Sequence, residues 1–210
     1  MSPDEKQILA KYFPEAAVEI VAEWLTKEDV FLQFTRTRRT KLGDFRVAQN
    51  KNDRPRISLN HDMHPYQMLI TFVHELAHKL TFDRYGRRVN PHGEEWKNTY
   101  RQLMQPFLIP EIFPADIIVV LHKSIRKAQA TSSADNELIR LIRAYDNNEN
   151  QKNRLTVEEI PYNSIFQLEN GKTFCKYEKV RKRFRCQCLQ NKRWYLVNPM
   201  AYATLIEKEK

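Results

Sequence analysis

Glycine is scarce in this chain of 210 residues: there are four, too few and too scattered for a Gly-rich phosphate-binding loop. Cysteine is also rare. Three are present, an odd number at Cys175, Cys186 and Cys188, which argues against a disulfide framework and fits a reducing compartment. Long apolar runs are missing as well. The most apolar stretch, Phe107 to Leu121, is interrupted by Pro110, Glu111, Pro114 and Asp116, so it cannot supply the roughly 20 apolar residues of a membrane helix. The first residues, MSPDEKQILAKYF, carry acids where a signal peptide carries basic residues. These absences lead to the expectation of a cytoplasmic protein with no membrane partner.

What remains is an ordinary globular composition, 41% apolar and 29% charged, with a net charge of +9. The charge is unevenly placed. Arg36 to Arg56 contributes +6 and Gly171 to Tyr195 contributes +8, so the rest of the chain is acidic on balance. Cations gathered in two segments suggest a polyanionic partner.

Periodicity divides the chain into elements. Residues 5–25 follow a helical repeat with a break or kink at Pro14. Val30 to Arg38 alternates as a strand, Lys41 to Asp44 reads as a turn, and Phe45–Ala48 and Arg56–Asn60 are short strand candidates. A helix is expected from Pro65 to about Phe82, another over Gly93–Met104, and further helices over Ile117–Lys127 and Glu137–Tyr145, the last with Ser132 and Asp135 as a capping box. The polar run Asp146–Asn153 is the expected boundary between a domain spanning 1–150 and a small β module spanning 151–210. In that module Ile165 to Phe174 should form a hairpin with a type I′ turn at Asn170-Gly171, followed by strands over Val180–Leu189 and Arg193–Asn198.

The chemistry centres on H-E-L-A-H at 74–78. On a helix, His74 and His78 project from one face a turn apart, a spacing at which two imidazoles can bind one zinc ion. Glu75 then lies beside the site as general base, taking a proton from water that zinc has acidified for attack on a carbonyl. The position three residues after His78 is Thr81, where the metzincin pattern requires glycine, so that subclass is excluded. Glu94, Glu95 and Glu111 are available as a third ligand. His92 is preferred, because N-P-H-G sets an imidazole at a helix start beside a glycine. His61 and His64 read as capping or packing groups, and His122 as structural.

The stretch HELAHKLTFDRYGRRVNPHGEEW closely resembles the SprT-like zinc metalloproteases, a family related to the DNA-repair protease Spartan. The family's H-G-x-x-(W/F) segment corresponds to His92, Gly93 and Trp96, and the upstream RRTKLGDF and ISLN also match. The resemblance covers roughly Phe13 to Met104. It implies an α+β fold with a zincin-like minidomain, one catalytic zinc held by His74, His78 and His92, and proteolysis of DNA-associated proteins. Members often end in a zinc ribbon with two C-x-x-C pairs; here neither pair is intact. The expected C-terminal fold is therefore a small antiparallel β module, degenerate and zinc-ribbon-like. Its cysteines are read as ordinary residues of a metal-free module, with a second metal as the alternative.

That module interleaves aromatics with cations. Lys179, Arg181, Lys182, Arg183, Arg185, Arg193 and Trp194 are the candidate DNA contacts, the cations for phosphates and the indole for stacking on a base, while Phe174 and Phe184 are expected to face inward. The rival reading of the whole chain is a nucleic-acid-binding protein with a structural zinc and no protease activity.

Overall fold

The computed structural model describes residues 1–38, 41–50, 52–127, 136–146 and 154–208. The fold is mixed α+β and divides into two compact units, Met1–Ile142 and Arg143–Lys210. The division falls inside a helix. The expected capping pair at Ser132 and Asp135, and most of the expected boundary loop, lie outside the described residues.

The first unit opens with α1 (Pro3–Ala10), where Ser2 and Glu5 form a reciprocal capping box and Pro3 occupies the first turn. Pro14 cannot continue a helix, so the chain restarts through a 3₁₀ turn (Glu15–Ala17) into α2 (Val18–Lys27). Val18, Val21, Ala22 and Leu25 give α2 one buried face. Three short strands follow: β1 (Phe31–Thr35), β2 (Gly43–Arg46) and β3 (Arg56–Asn60). Their order is β1-β3-β2, with β3 parallel to β1 and antiparallel to β2. The central strand is the most buried, with Ile57 and Leu59 fully inside.

The expected turn at Lys41–Asp44 is corrected by the structure: Gly43 and Asp44 already belong to β2, paired with Leu59 and Ser58. The loop before β2 is tied down by Arg38, whose guanidinium donates to Asn60 Oδ1, Ser58 Oγ and the Ser58 and Leu42 carbonyls. Asn60 Nδ2 donates back to the Arg38 and Lys41 carbonyls.

Helix α3 (Pro65–Tyr85) runs through the core. Pro65 opens it, His64 Nδ1 accepts from the Tyr66 N–H as a cap, and Gly86, at φ +62°, ends it. Met68, Leu69, Phe72, Val73, Leu76 and Ala77 are buried on it. Helices α4 (Glu94–Met104) and α5 (Ala115–Lys127) complete the layer, with a 3₁₀ turn (Gln105–Phe107) between them. Leu138 and Ile142 of α6 (Asn136–Ala144) join the same core. No helix among the described residues is long and apolar enough to cross a membrane.

The second unit is a five-stranded antiparallel sheet in the order β7-β6-β5-β4-β8. Its strands are β4 (Ser164–Leu168), β5 (Thr173–Val180), β6 (Arg183–Cys188), β7 (Trp194–Val197) and β8 (Ala203–Lys208). The hairpin at Asn170-Gly171 is not type I′. Only Gly171 takes a positive φ, +79°, and Leu168 closes both on Gly171 N–H and from its own N–H to the Lys172 carbonyl. That is a three-residue loop with glycine at its left-handed position, a common hairpin alternative. The expected strand over Val180–Leu189 is also corrected: Val180 ends β5, Arg181-Lys182 form the turn, and β6 starts at Arg183. Phe166, Phe174, Phe184, Cys186, Cys188 and Val197 form the core beneath Val157 and Ile160.

Candidate metal centre

Helix α3 contributes His74 and His78 from adjacent turns of one face, and the entry to α4 contributes His92. Their Nε2 atoms converge: His74 to His78 is 3.2 Å, His78 to His92 is 3.0 Å and His74 to His92 is 3.2 Å. Sequence spacing anticipates the α3 pair, but the third approach depends on backbone conformation. His92 itself adopts the left-handed region, at φ +62°, and Gly93 does not. A non-glycine residue held there costs of order 1 kcal/mol or more, and such strain gathers at functional sites. Gly93 matters differently, since a Cβ there would lie 3.0 Å from the Asn90 carbonyl oxygen.

Trp96 is fully buried and forms the floor, with its ring centroid 4.7 Å from His74, 5.3 Å from His78 and 4.6 Å from His92. Tyr100 stacks on its far side at 5.1 Å. Burial holds His74 down at a pKa of about 3, reinforced by the neighbouring imidazoles, and His78 at about 4 by burial and then His92. Burial also lowers His92. All three are therefore neutral at pH 7, with nitrogen lone pairs free to coordinate. These three side chains could hold a metal ion, and they are the one such cluster of His, Cys, Asp or Glu among the described residues.

Glu75 is buried on the same helix, and its pKa is pushed up to about 7. Burial is the main cause. The charge of Asp44 adds to it, and an N–H from Phe45 partly offsets both. Asp44 stays ionised despite partial burial, because Lys41 at 2.8 Å and Arg46 at 2.9 Å outweigh desolvation. Sequence reasoning missed β2 as a wall of this site. Gly43 lies so close to α3 that an added Cβ would sit 2.7 Å from Glu75 Cγ and Oε1 and 2.8 Å from Thr71 Cγ2. An isolated glycine beside an alternating apolar run is the signal that could have revealed it.

A cleft of about 480 Å³ opens beside these groups, between β2 and the loop after α3, and includes Glu75, His78 and Trp96. Lys79, next to His78 but pointing away, pairs with Glu28 at 2.6 Å and Asp83 at 2.8 Å. Burial alone would lower its pKa, yet the two carboxylates raise it, and the pair anchors α3 to the end of α2. His61 Nδ1 lies 3.0 Å from the Thr35 carbonyl oxygen. His122, read from the sequence as structural, is exposed on α5.

In the second unit, alternation along β6 buries Phe184, Cys186 and Cys188 and leaves Arg183 and Arg185 outside. Lys179, Arg181, Lys182, Arg193 and Trp194 are exposed too. Arg185 lies 4.4 Å over the Trp194 ring, and Tyr177 meets that ring edge-on at 5.1 Å. Two of the cations face acids: Arg185 pairs with Glu178 at 2.9 Å, and Lys179 lies 3.9 Å from Glu158. Lys176, part of the same basic run, is fully buried instead. Its ammonium donates to the carbonyls of Val157, Glu158 and Ile160 and lies 3.9 Å from the Phe184 ring centre.

A mixed α+β chain with a half-buried three-histidine cluster thus has a candidate metal centre beside a carboxylate of raised pKa. The SprT-like family model matches residues 9–117, just over half of the sequence and including every residue of that centre, and the chain belongs to the SprT-like family. No curated protein and no solved structure matches it.

Proposed function

We propose that the chain is a zinc-dependent metallopeptidase with a zincin-like first unit, acting on DNA-associated proteins. The observation that carries this reading is the convergence of three neutral imidazole nitrogens within 3.0–3.2 Å of one another, with Glu75 next to the first of them. Nitrogens bound to a tetrahedral zinc at about 2.0–2.1 Å stand roughly 3.3 Å apart, so the donor set fits that ion. His74, His78 and His92 would hold it. Zinc supplies Lewis acidity there, making water a usable nucleophile near neutral pH and polarising a peptide carbonyl.

Glu75 handles the proton. With a pKa near 7 it is partly ionised at neutral pH, so it can accept a proton from the attacking water and return it to the departing amine. Gly43 sets the distance between β2 and that carboxylate, and Trp96 fixes the imidazoles from below. The exposed Trp194 with Arg185 across it, flanked by Arg183 and Arg193, supports a DNA-contacting role for the second unit: guanidinium groups suit phosphates and an exposed indole can stack on an unpaired base.

The test combines metal analysis with cleavage of a DNA-binding protein, with and without DNA, beside Glu75→Gln. One zinc per chain is expected in both proteins, with hydrolysis lost in the variant by about 10²-fold or more. Stoichiometric zinc with equal inactivity of both proteins on every substrate would sink the peptidase reading and leave a nucleic-acid-binding protein with a structural metal. Neutralising Lys182, Arg183 and Arg185 together should weaken DNA binding and flatten its salt dependence. An unchanged affinity would remove the second unit from DNA contact.

A further inference from the structure

The cleft at Glu75 and His78 continues into a second one. The two share Phe45, Phe82 and Arg87, and the second is completed by Arg46, Val47 and Ala48 near the end of β2. The left-handed Gly86 ends α3 and turns the chain so that Arg87 lines both clefts. The only charged side chains lining the second cleft, among the described residues, are Arg46 and Arg87. Arg46 Nε is engaged by Asp44 at 2.9 Å. Arg87 is exposed and has no ion pair or hydrogen bond among the described residues.

We propose that this second cleft is a specificity subsite for an acidic side chain, glutamate or aspartate, of a protein substrate lying across His78 and Glu75. The inference rests on the peptidase reading above. Phe45 and Phe82 offer an apolar wall for the methylene stem of the side chain, and the unpaired guanidinium of Arg87 offers a planar, two-pronged partner for its carboxylate. A lysine or arginine entering the same space would meet two like charges. A nucleic-acid phosphate would satisfy Arg87 equally well but has no apolar stem to set against the phenyl rings. The shared walls also lead directly to Glu75, where a substrate backbone must pass. The walls and the position therefore favour a side chain of the substrate.

The experiment uses the full-length Glu75→Gln protein loaded with zinc, so that peptides bind without being cut. Fluorescein-labelled extended peptides, identical except for Glu, Gln or Lys at one scanned position, are compared by anisotropy. At one position Glu should bind about fivefold more tightly than Gln, as expected for a single half-exposed charged pair, and Lys most weakly. Adding Arg87→Ala should erase the difference between Glu and Gln, Arg87→Lys should keep part of it, and Arg87→Glu should reverse the order in favour of Lys. Thermal melts check that each variant remains folded. No discrimination at any position, discrimination untouched by Arg87→Ala, or no peptide binding at all overturns the subsite. If Arg87→Ala instead weakens only the binding of a DNA oligonucleotide, the cleft belongs to nucleic acid and the inference fails. Because the readout is binding, it separates the two readings: Glu-selective binding beside an inactive zinc-loaded wild type would refute the peptidase and leave the cleft as a binding site for acidic side chains.

Discussion

Replacing Gly43 with alanine tests whether the contact between β2 and α3 sets the position of Glu75. The added methyl would lie 2.7 Å from Glu75 Cγ and Oε1 and 2.8 Å from Thr71 Cγ2, well inside van der Waals contact. Neither neighbour yields freely. Thr71 is buried and bonded through its hydroxyl to the Gln67 carbonyl, and Glu75 is buried on the core helix. Retreat of β2 is opposed by its pairing with β3 and by the bonds of Arg38 and Asn60 that hold the loop before it. Overpacking of this kind costs about 1–3 kcal/mol. For a unit of this size that lowers the melting temperature by roughly 3–12 °C. The functional loss should be larger than the stability loss, since a displacement near 1 Å of a catalytic group can cost about 100-fold in rate. Calorimetry on the full chain would give the first, and cleavage at a temperature well below both transitions the second. Zinc content should not change, because the contact does not involve the histidines. A Gly43→Ala protein with normal activity would show that Glu75 is free to move beneath β2, and the positioning argument would be wrong.

Gly171→Ala provides a contrast: Gly171 needs a left-handed backbone, at φ +79°, which Gly43 does not, but nothing lies within 4 Å of an added Cβ, so a loss of about 1 kcal/mol confined to the second unit is expected, with peptide hydrolysis unchanged. Lys176→Met should leave three carbonyls, two of them buried, without their donor and destabilise the second unit by roughly 2–5 kcal/mol, read as a lowered transition of that unit by calorimetry; an unshifted transition would mean that water replaces the ammonium. The metal-free protein should lose stability as pH falls below about 6.5. Its three histidines have lowered pKa values, so the unfolded chain takes up their protons first, while Glu75, raised to about 7, opposes this with one proton only; chelated melts that are flat between pH 6.5 and 5 would contradict it.

How much of this could be read in the sequence follows from how local each feature is. The His74–His78 pair needs only helical periodicity, and α3 announces itself by its apolar repeat and its proline start. His92 is harder: the choice among His92, Glu94, Glu95 and Glu111 turns on a left-handed backbone at a single residue, which no periodicity encodes. Strand β2 illustrates a different limit. Lys41–Asp44 has turn composition, and only pairing with Leu59 and Ser58 makes Gly43 and Asp44 a strand. A four-residue edge strand has too little pattern of its own to compete with such signals, so its register comes from its partner. The Asn170-Gly171 loop fails in a related way, because the dipeptide fits two turn geometries and the strand register selects the longer loop.

Lys176 carries the same lesson into the second unit. Alternation from Phe174 places position 176 on the inward face, so its direction was legible in the sequence. Charge argues the other way, since a lone buried ammonium costs several kcal/mol. The conflict is resolved only by three carbonyls from Val157, Glu158 and Ile160, some 16–19 residues away in the chain. Burial does comparable work in the first unit. The desolvation that holds His74 and His78 neutral also raises Glu75, so one physical cause provides free imidazole lone pairs and a carboxylate poised near neutrality. Placing H-E-L-A-H on a helix that runs through the core therefore does more than align two ligands. It sets the protonation states that the proposed chemistry requires, with the charge of Asp44 the main additional push on Glu75.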